Sequence, residues 1–424
     1  MRKFALMVLS PFLLSGIGLD AADCGDVILI PSEIYERQQN NWSIATGDFN
    51  GDGAIDLAIP DANYPRGSLK ILLGDGRGRF ALLTDYTVPS HTGLVRAGDL
   101  DGDGHLDLII RAYYASEIFW GVGDGAFAGP DTPPELVTPL HISDLNHDGI
   151  ADIVGGMGDW LAVQLGGGRT LTTPVLLLTS SYGFFPTVGD VNGDGNLDII
   201  AGQSFSTDLL TGNGDGTFNE PLHLDDGGHS SFLADLNGDG ADDLIMVGFG
   251  PATSTALSRG DGTFDPPVAV EIGITGDNIR FTQGDFDGDG KIDLIASTTS
   301  KSYLMALTGK GDGTFQPPRS IPLNSPVYEA HVEDLDSNGT PDLLTANNFG
   351  GAQPIFNGCG IVFGDANRDD VLDVADIFYL INFLFDDGSF APWFADANGD
   401  RTVTPADIFY LVNYLWAEGP PPVE

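Results

Sequence analysis

A nine-residue acidic loop, D-x-D/N-x-D/N-G-x-x-D, occurs seven times in this chain, each copy followed at once by an aliphatic run. Examples are GDFNGDGAIDLAI from Gly47, GDLDGDGHLDLII from Gly98 and EDLDSNGTPDLL from Glu333. Loop positions 1, 3, 5 and 9 are Asp48, Asn50, Asp52 and Asp56 in the first copy and Asp99, Asp101, Asp103 and Asp107 in the second. They are Asp144, Asn146, Asp148 and Asp152 in the third and Asp190, Asn192, Asp194 and Asp198 in the fourth. The fifth has Asp235, Asn237, Asp239 and Asp243, and the sixth Asp285, Asp287, Asp289 and Asp293. The seventh has Asp334, Asp336, Asn338 and Asp342. Successive copies begin 45 to 51 residues apart. A steady period of that length marks a repeat architecture, and four short strands fit into each repeat. Side chains at positions 1, 3, 5 and 9 put three or four hard oxygens around one small volume. Glycine at position 6 permits the sharp turn, so the loop suits Ca²⁺.

The charge follows from these loops. The 424 residues hold 61 acids against 18 bases, a formal net charge of −43. That balance excludes nucleic acid and anionic membrane surfaces as partners, because both require basic patches. Disorder is excluded by a hydrophobic content of 42%. Residues 1–22 read as a secretory signal: Arg2 and Lys3, an apolar run from Phe4 to Leu19, then Asp20-Ala21-Ala22. No other stretch approaches the length that spans a bilayer, so an exported protein without membrane insertion is expected, secreted, periplasmic or at the cell surface.

A second element lies between the loops: LLGDGRGRF from Leu72, GVGDGAF from Gly121, TGNGDGTF from Thr211, SRGDGTF from Ser258 and TGKGDGTF from Thr308. Apolar strands flank it, so the Gly-Asp-Gly reads as a tight turn. Each repeat is then strand, acidic loop, strand, connection, strand, Gly-rich turn, strand. Residues 23–360 are expected to form an all-β, seven-bladed β-propeller. Repeat seven ends at Pro354–Gly360 without a fourth strand, while CGDVILIPSEIYE from Cys24 is a strand with no blade of its own. The N-terminal strand should therefore complete blade seven. Cys24 and Cys359, the two cysteines of the chain, fall at that junction, and an even pair in an exported chain points to a disulfide.

Loop and following strand together resemble the FG-GAP/VCBS repeats of integrin α-chain propellers and many bacterial secreted proteins, over about 330 residues. That resemblance implies one Ca²⁺ per loop, about seven in all, stiffening the first turn of each blade. Two copies depart from the pattern. The seventh has Asn338 at position 5 and Pro341 before its last ligand, and the third has His147 where glycine is usual. Weaker binding is expected at both.

Residues 361–424 carry a different pattern twice, 31 residues apart. Asp365, Asn367, Asp369, Asp373 and Asp376 occupy positions 1, 3, 5, 9 and 12 of one loop, and Asp396, Asn398, Asp400, Thr404 and Asp407 those of the other. Each loop runs into a helix with an apolar stripe: Ile377, Leu380, Ile381 and Leu384, then Ile408, Leu411, Val412 and Leu415. A 12-residue loop ending in an acid at a helix start is EF-hand geometry with one helix missing. The pair resembles a type I dockerin, which implies a small α-helical module with two Ca²⁺ and a cohesin-like or cell-surface partner. The residues at the dockerin recognition positions, Val374-Ala375 and Pro405-Ala406, depart from the family. So do Ile381-Asn382 and Val412-Asn413 at its usual basic pair, which puts a cohesin in doubt. Duplicated aromatics outside the stripe, including Phe378, Phe385, Phe409 and Trp416, form either a docking face or internal packing.

The seven histidines (91, 105, 141, 147, 223, 229 and 331) lack metal-ligand spacing, and neither G-x-S-x-G nor H-E-x-x-H occurs. The paired carboxylates sit in calcium loops and make poor acid–base candidates. Arg259-Gly260-Asp261 falls in the repeated turn and is read as structural. The leading expectation is a binding, adhesion or scaffold protein for a glycan or protein ligand. The competing one is a carbohydrate-active enzyme, a lyase or hydrolase, or a non-catalytic part of a polysaccharide-degrading assembly. A ring centre lined by Arg, Lys, His or Tyr would favour the enzyme.

Overall fold

The computed structural model describes residues 29–31, 35, 43–61, 67–89, 93–111, 116–133, 135–157, 160–177, 185–203, 206–224, 230–247, 253–274, 278–347, 351–358, 372, 374–385, 395, 397–398, 403–417 and 422. Among the described residues, twenty-eight strands form seven four-stranded antiparallel sheets, the blades of a β-propeller. Blade one runs Ala45–Gly47, Asp56–Asp61, Gly67–Gly74 and Phe80–Val88 in order across the sheet. The first strands of blades two to seven are Leu94–Gly98, Thr138–Ser143, Phe185–Gly189, Ser230–Ala234, Ile279–Gly284 and Val327–Glu333. In every blade the last loop Asp opens the second strand and pairs with the residue preceding the first loop Asp, as in Gly47↔Asp56 and Gly98↔Asp107. Each acidic loop is therefore the connection between first and second strands. Blade seven contributes three strands of its own, and Leu29–Pro31 is the fourth, pairing Leu29 with Asn357 and Pro31 with Ile355. Cys24 and Cys359 lie outside the described residues.

Burial follows strand position. The second strands Asp56–Asp61, Asp293–Thr298 and Asp342–Asn347 are buried along their whole length, as expected of strands covered on both faces. Fourth strands alternate or face solvent, with Val175 56% and Val268 53% exposed. The core lies between blades. One cluster joins Ala58, Leu69 and Ile71 of blade one to Leu108, Ile110 and Phe119 of blade two, and similar clusters join two to three and on to six and seven. At about 1.5–3 kcal/mol for each large apolar side chain buried, a blade is stable only beside its neighbours.

The chain divides into two compact units, one of them Gly25–Asn357. In the other, helices α1 (Val374–Phe385) and α2 (Pro405–Ala417) pack around Leu372, Ile377, Leu380, Ala395, Ala397 and Leu411. The sequence stripe is wider than the face actually buried. Ile381 and Val412 are 36% and 38% exposed, because only the Ile377, Leu380 and Leu411 side meets the small core. The aromatics divide: Tyr379, Tyr410 and Tyr414 pack on the core, while Phe378, Phe409 and Trp416 are exposed. Among the described residues no helix is long and apolar enough to cross a membrane.

Candidate metal sites and an axial cluster

Five of the seven acidic loops share one complete hydrogen-bond scheme, and the other two keep part of it. In loop one, Asp48 Oδ1 accepts from the amides of Gly51 (2.7 Å) and Asp52 (3.1 Å), and Oδ2 from Gly53 (2.9 Å). Asp99, Asp190, Asp235 and Asp285 repeat all three bonds. The turn needs left-handed backbone at position 4 as well as position 6: Gly51 has φ 74° and Gly53 φ 86°. Loops three and seven put His147 (φ 60°) and Ser337 (φ 58°) at position 4. Asp144 and Asp334 there keep only the bonds from positions 5 and 6. The departure foreseen at His147 thus has a backbone counterpart, and Ser337 shares it.

The ninth-position aspartates are the most constrained groups. Asp56, Asp107, Asp152, Asp198, Asp243, Asp293 and Asp342 are all fully buried. In each, Oδ2 accepts from the amide at loop position 2, at 2.9–3.0 Å. Oδ1 accepts from an amide at the end of the third strand, at 2.7–2.8 Å. These side chains therefore tie the loop to the sheet besides being candidate ligands. Burial, opposed by the two amide bonds and reinforced by neighbouring loop acids, pushes six of them up to about 6. Burial and then Asp336 push Asp342 up to about 8. A cation in the loop would reverse that pressure.

The donor set fits a hard cation. Oxygens of Asp99, Asp101 and Asp107 lie within 4.8 Å of one another, as do those of Asp285, Asp287 and Asp289 and of Asp334, Asp336 and Asp342. All the donors are oxygens, which suits Ca²⁺ over the softer transition metals. Two bases already touch these loops: Lys291 Nζ bonds Asp289, and Arg169 Nε lies 3.0 Å from Asp101 Oδ2. Loops and Gly-rich turns share one face and bond across blades. Ala151 N–H donates to Asp99 O (2.8 Å), Asp242 N–H to Asp190 O (2.7 Å), and Gly78 N–H to Leu335 O (2.8 Å) across the ring closure. His147 is exposed, with Nε2 3.3 Å from Asn196 Oδ1 of the next loop, so it links blades.

In the C-terminal unit, Asp376 and Asp407 are buried in the first turns of α1 and α2. Thr404 and Asp407 form a capping box: Thr404 Oγ1 accepts from Ala406 N–H (3.2 Å), and Asp407 Oδ2 accepts from Thr404 N–H (2.7 Å). Asp407 Oδ1 also accepts from Asn398 N–H at 3.2 Å. Asp365, Asn367, Asp369, Asp373, Asp396 and Asp400 lie outside the described residues.

A further cluster escaped the sequence reading. First strands of successive blades pack on one another and so surround the axis. Arg96 of blade two reaches Glu329 of blade seven at 2.8 Å. Arg96 Nη1 also donates to Ser43 Oγ and Val95 O, both at 2.9 Å. Burial opposes ionisation of Glu329, but Arg96 and then His331 hold its carboxyl well below the usual range. Burial and then Arg96 push His141 down to about 4, and burial lowers Arg280. Thr46 donates to Glu333 nearby. The available signal was charge three or five residues before a loop, on strands otherwise apolar or small.

Six overlapping segments match the family described as FG-GAP-like repeat: residues 48–110, 99–155, 144–201, 190–246, 235–296 and 285–345. The chain is 29% identical over 266 residues to integrin alpha-5 of Xenopus laevis, which covers 56% of this chain and 22% of the integrin. It thus spans about a fifth of that relative's length. Among solved structures it is similar to an Agrocybe aegerita lectin that specifically recognises non-reducing terminal N-acetylglucosamine, with TM-score 0.50 and 18% identity, over 78% of this chain and 96% of the lectin. It is also similar to BBS1N, solved in complex with ARL6DN, with TM-score 0.53 and 11% identity over 78% and 96%. At these identities the likeness is one of fold.

Proposed function

The chain belongs to the FG-GAP-like repeat family, and we propose that it is an exported, calcium-loaded propeller that recognises a glycan or protein ligand. The observation that carries the calcium part is the sevenfold repetition of the acidic loop around a buried ninth aspartate, with acid oxygens clustered in three of the loops. Bound Ca²⁺ would supply positive charge where acid oxygens converge in the loops of Asp99, Asp285 and Asp334, and by the repeated sequence in those of Asp48, Asp144, Asp190 and Asp235. The residues themselves already hold each loop to its blade and, through the amide bonds between loops, to the next blade. The recognition part draws support from the lectin and from BBS1N, whose similar folds bind a sugar and a protein respectively.

The C-terminal unit is proposed as a dockerin-like pair of calcium loops that attaches the propeller to a cohesin-like or cell-surface partner. Its support is the duplicated ligand pattern and the matching burial of Asp376 and Asp407. A second reading, a polysaccharide-cleaving enzyme, is favoured by the Arg96, His141, Arg280, Glu329 and His331 cluster at the ring centre. A glycan array with calcium-loaded protein, followed by product analysis on neutral and acidic polysaccharides, tests both. Binding without cleavage supports recognition, and release of oligosaccharides would overturn it in favour of the enzyme.

A further inference from the structure

We propose that Arg169 and Lys291 set the calcium affinity of loops two and six, holding both to the charge of the other five. The proposal rests on the calcium reading of the loops and gives these two bases a role within it. Loops one, three, four, five and seven carry three carboxylates at ligand positions, whereas loops two and six carry four. The extra acid arises because Asp stands at both position 3 and position 5: Asp101 and Asp103 in loop two, Asp287 and Asp289 in loop six. Each four-acid loop is met by a base. Arg169 Nε lies 3.0 Å from Asp101 Oδ2, and Lys291 Nζ bonds Asp289 Oδ2. Four negative charges and one positive leave −3, the formal charge of the other five ligand sets.

The hydrogen bonds show what the base replaces. Where position 3 is Asn, its Nδ2 donates to Oδ2 of the position-5 Asp. The pairs are Asn50 with Asp52 (2.8 Å), Asn146 with Asp148 (3.0 Å), Asn192 with Asp194 (3.0 Å) and Asn237 with Asp239 (2.9 Å). An ionised Asp at position 3 has no proton to give and adds a charge beside one already there. In loop six Lys291 supplies the missing donor to the same atom, Asp289 Oδ2. In loop two the base comes from outside, from the turn between strands Trp160–Gln164 and Val175–Leu177 of blade three. Arg169 Cζ lies 5.6 Å from the ring centroid of buried Trp120, whose Nε1 donates to Asp131 Oδ2 at 2.6 Å. That stack sets the guanidinium against the Asp101 side chain, which is only 5% exposed. Arg169 and Lys291 are themselves exposed, and exposed ion pairs add little to stability. Their weight falls on the ion, because calcium affinity rises with the charge of the ligand set. A unit positive charge beside a ligand lowers affinity for a divalent ion by about tenfold at low salt and about threefold at physiological salt.

Each loop is read separately in the full chain by hydrogen–deuterium exchange mass spectrometry across a series of free Ca²⁺ concentrations. The peptides of interest cover residues 99–107 and 285–293. The variants are Arg169→Met, Lys291→Met and the double variant Arg169→Met with Asp101→Asn. Arg169→Met should move the protection midpoint of loop two to about threefold lower free calcium, or further at low salt. Lys291→Met should do the same at loop six, with the remaining loops unchanged. The double variant gives loop two the ligand set of loop one and should return its midpoint to the wild-type value. Midpoints that stay put or rise in both single variants would overturn the proposal and leave the calcium reading in place. Loss of loop protection at saturating calcium in both would do so too, since the bases would then be struts. Loops whose exchange ignores calcium altogether would remove the calcium reading and this proposal with it.

Discussion

Stripping calcium should reverse the usual response of this propeller to acid. Asp56, Asp107, Asp152, Asp198, Asp243 and Asp293 titrate at about 6 in the fold and Asp342 at about 8, against 3.8 for an ordinary aspartate, with burial the main cause. Each folded carboxyl therefore holds its proton more tightly than the unfolded chain does. The resulting stabilisation is complete below about pH 4 and is lost as pH rises through 6, and through 8 for Asp342. A carboxyl raised from 3.8 to about 6 disfavours the folded state at neutral pH by about 3 kcal/mol. Seven such groups outweigh the whole stability of an ordinary domain, about 5–15 kcal/mol. Bound Ca²⁺ would remove the penalty by stabilising the ionised forms. Protein stripped on a chelating resin would be followed by tryptophan fluorescence and near-ultraviolet circular dichroism from pH 8 to pH 4, with and without added calcium. The metal-free propeller should be native near pH 5 and lose tertiary signal toward pH 8, and calcium should restore it at pH 7. A metal-free propeller that is native at pH 8 and unfolds on acidification would refute the reasoning.

Four further outcomes are expected. Asp107→Ala orphans the buried amides of Leu100 and Gly121 and should lower unfolding free energy by about 2–5 kcal/mol in urea melts. Asp103→Ala, at an exposed loop position, should mainly weaken calcium binding at loop two, read by calorimetry. Arg96→Met leaves the Glu329 carboxylate without its guanidinium and should destabilise by about 3–5 kcal/mol, part of it recovered by adding Glu329→Gln. Deleting residues 361–424 should leave the propeller melting transition within a few degrees of its original value by calorimetry, because Gly25–Asn357 is compact by itself.

The blades were legible because every loop announces two strands and the spacing is steady. Closure was legible as well, since repeat seven is one strand short and Leu29–Pro31 supplies it. The double role of the ninth aspartate was not, because its partners are backbone amides such as Gly74 N–H, 18 residues away, which no side-chain pattern records. Position 4 was legible only in part: His147 stood out there in place of glycine, whereas Ser337, with the same left-handed φ, did not. The axial cluster joins Arg96 to Glu329, separated by more than half the chain, and only ring closure brings them together. In the C-terminal unit, helical spacing located the stripe but overstated its width, since two short helices bury a narrow face.

The most direct measurement is a calcium count: equilibrium dialysis at neutral pH followed by elemental analysis, on the full chain and on residues 1–360. Nine ions per chain and seven in the shorter protein are expected, with loops three and seven emptying first as calcium is lowered. A natively folded protein carrying one ion or none at neutral pH would contradict the reading of the seven loops as calcium sites.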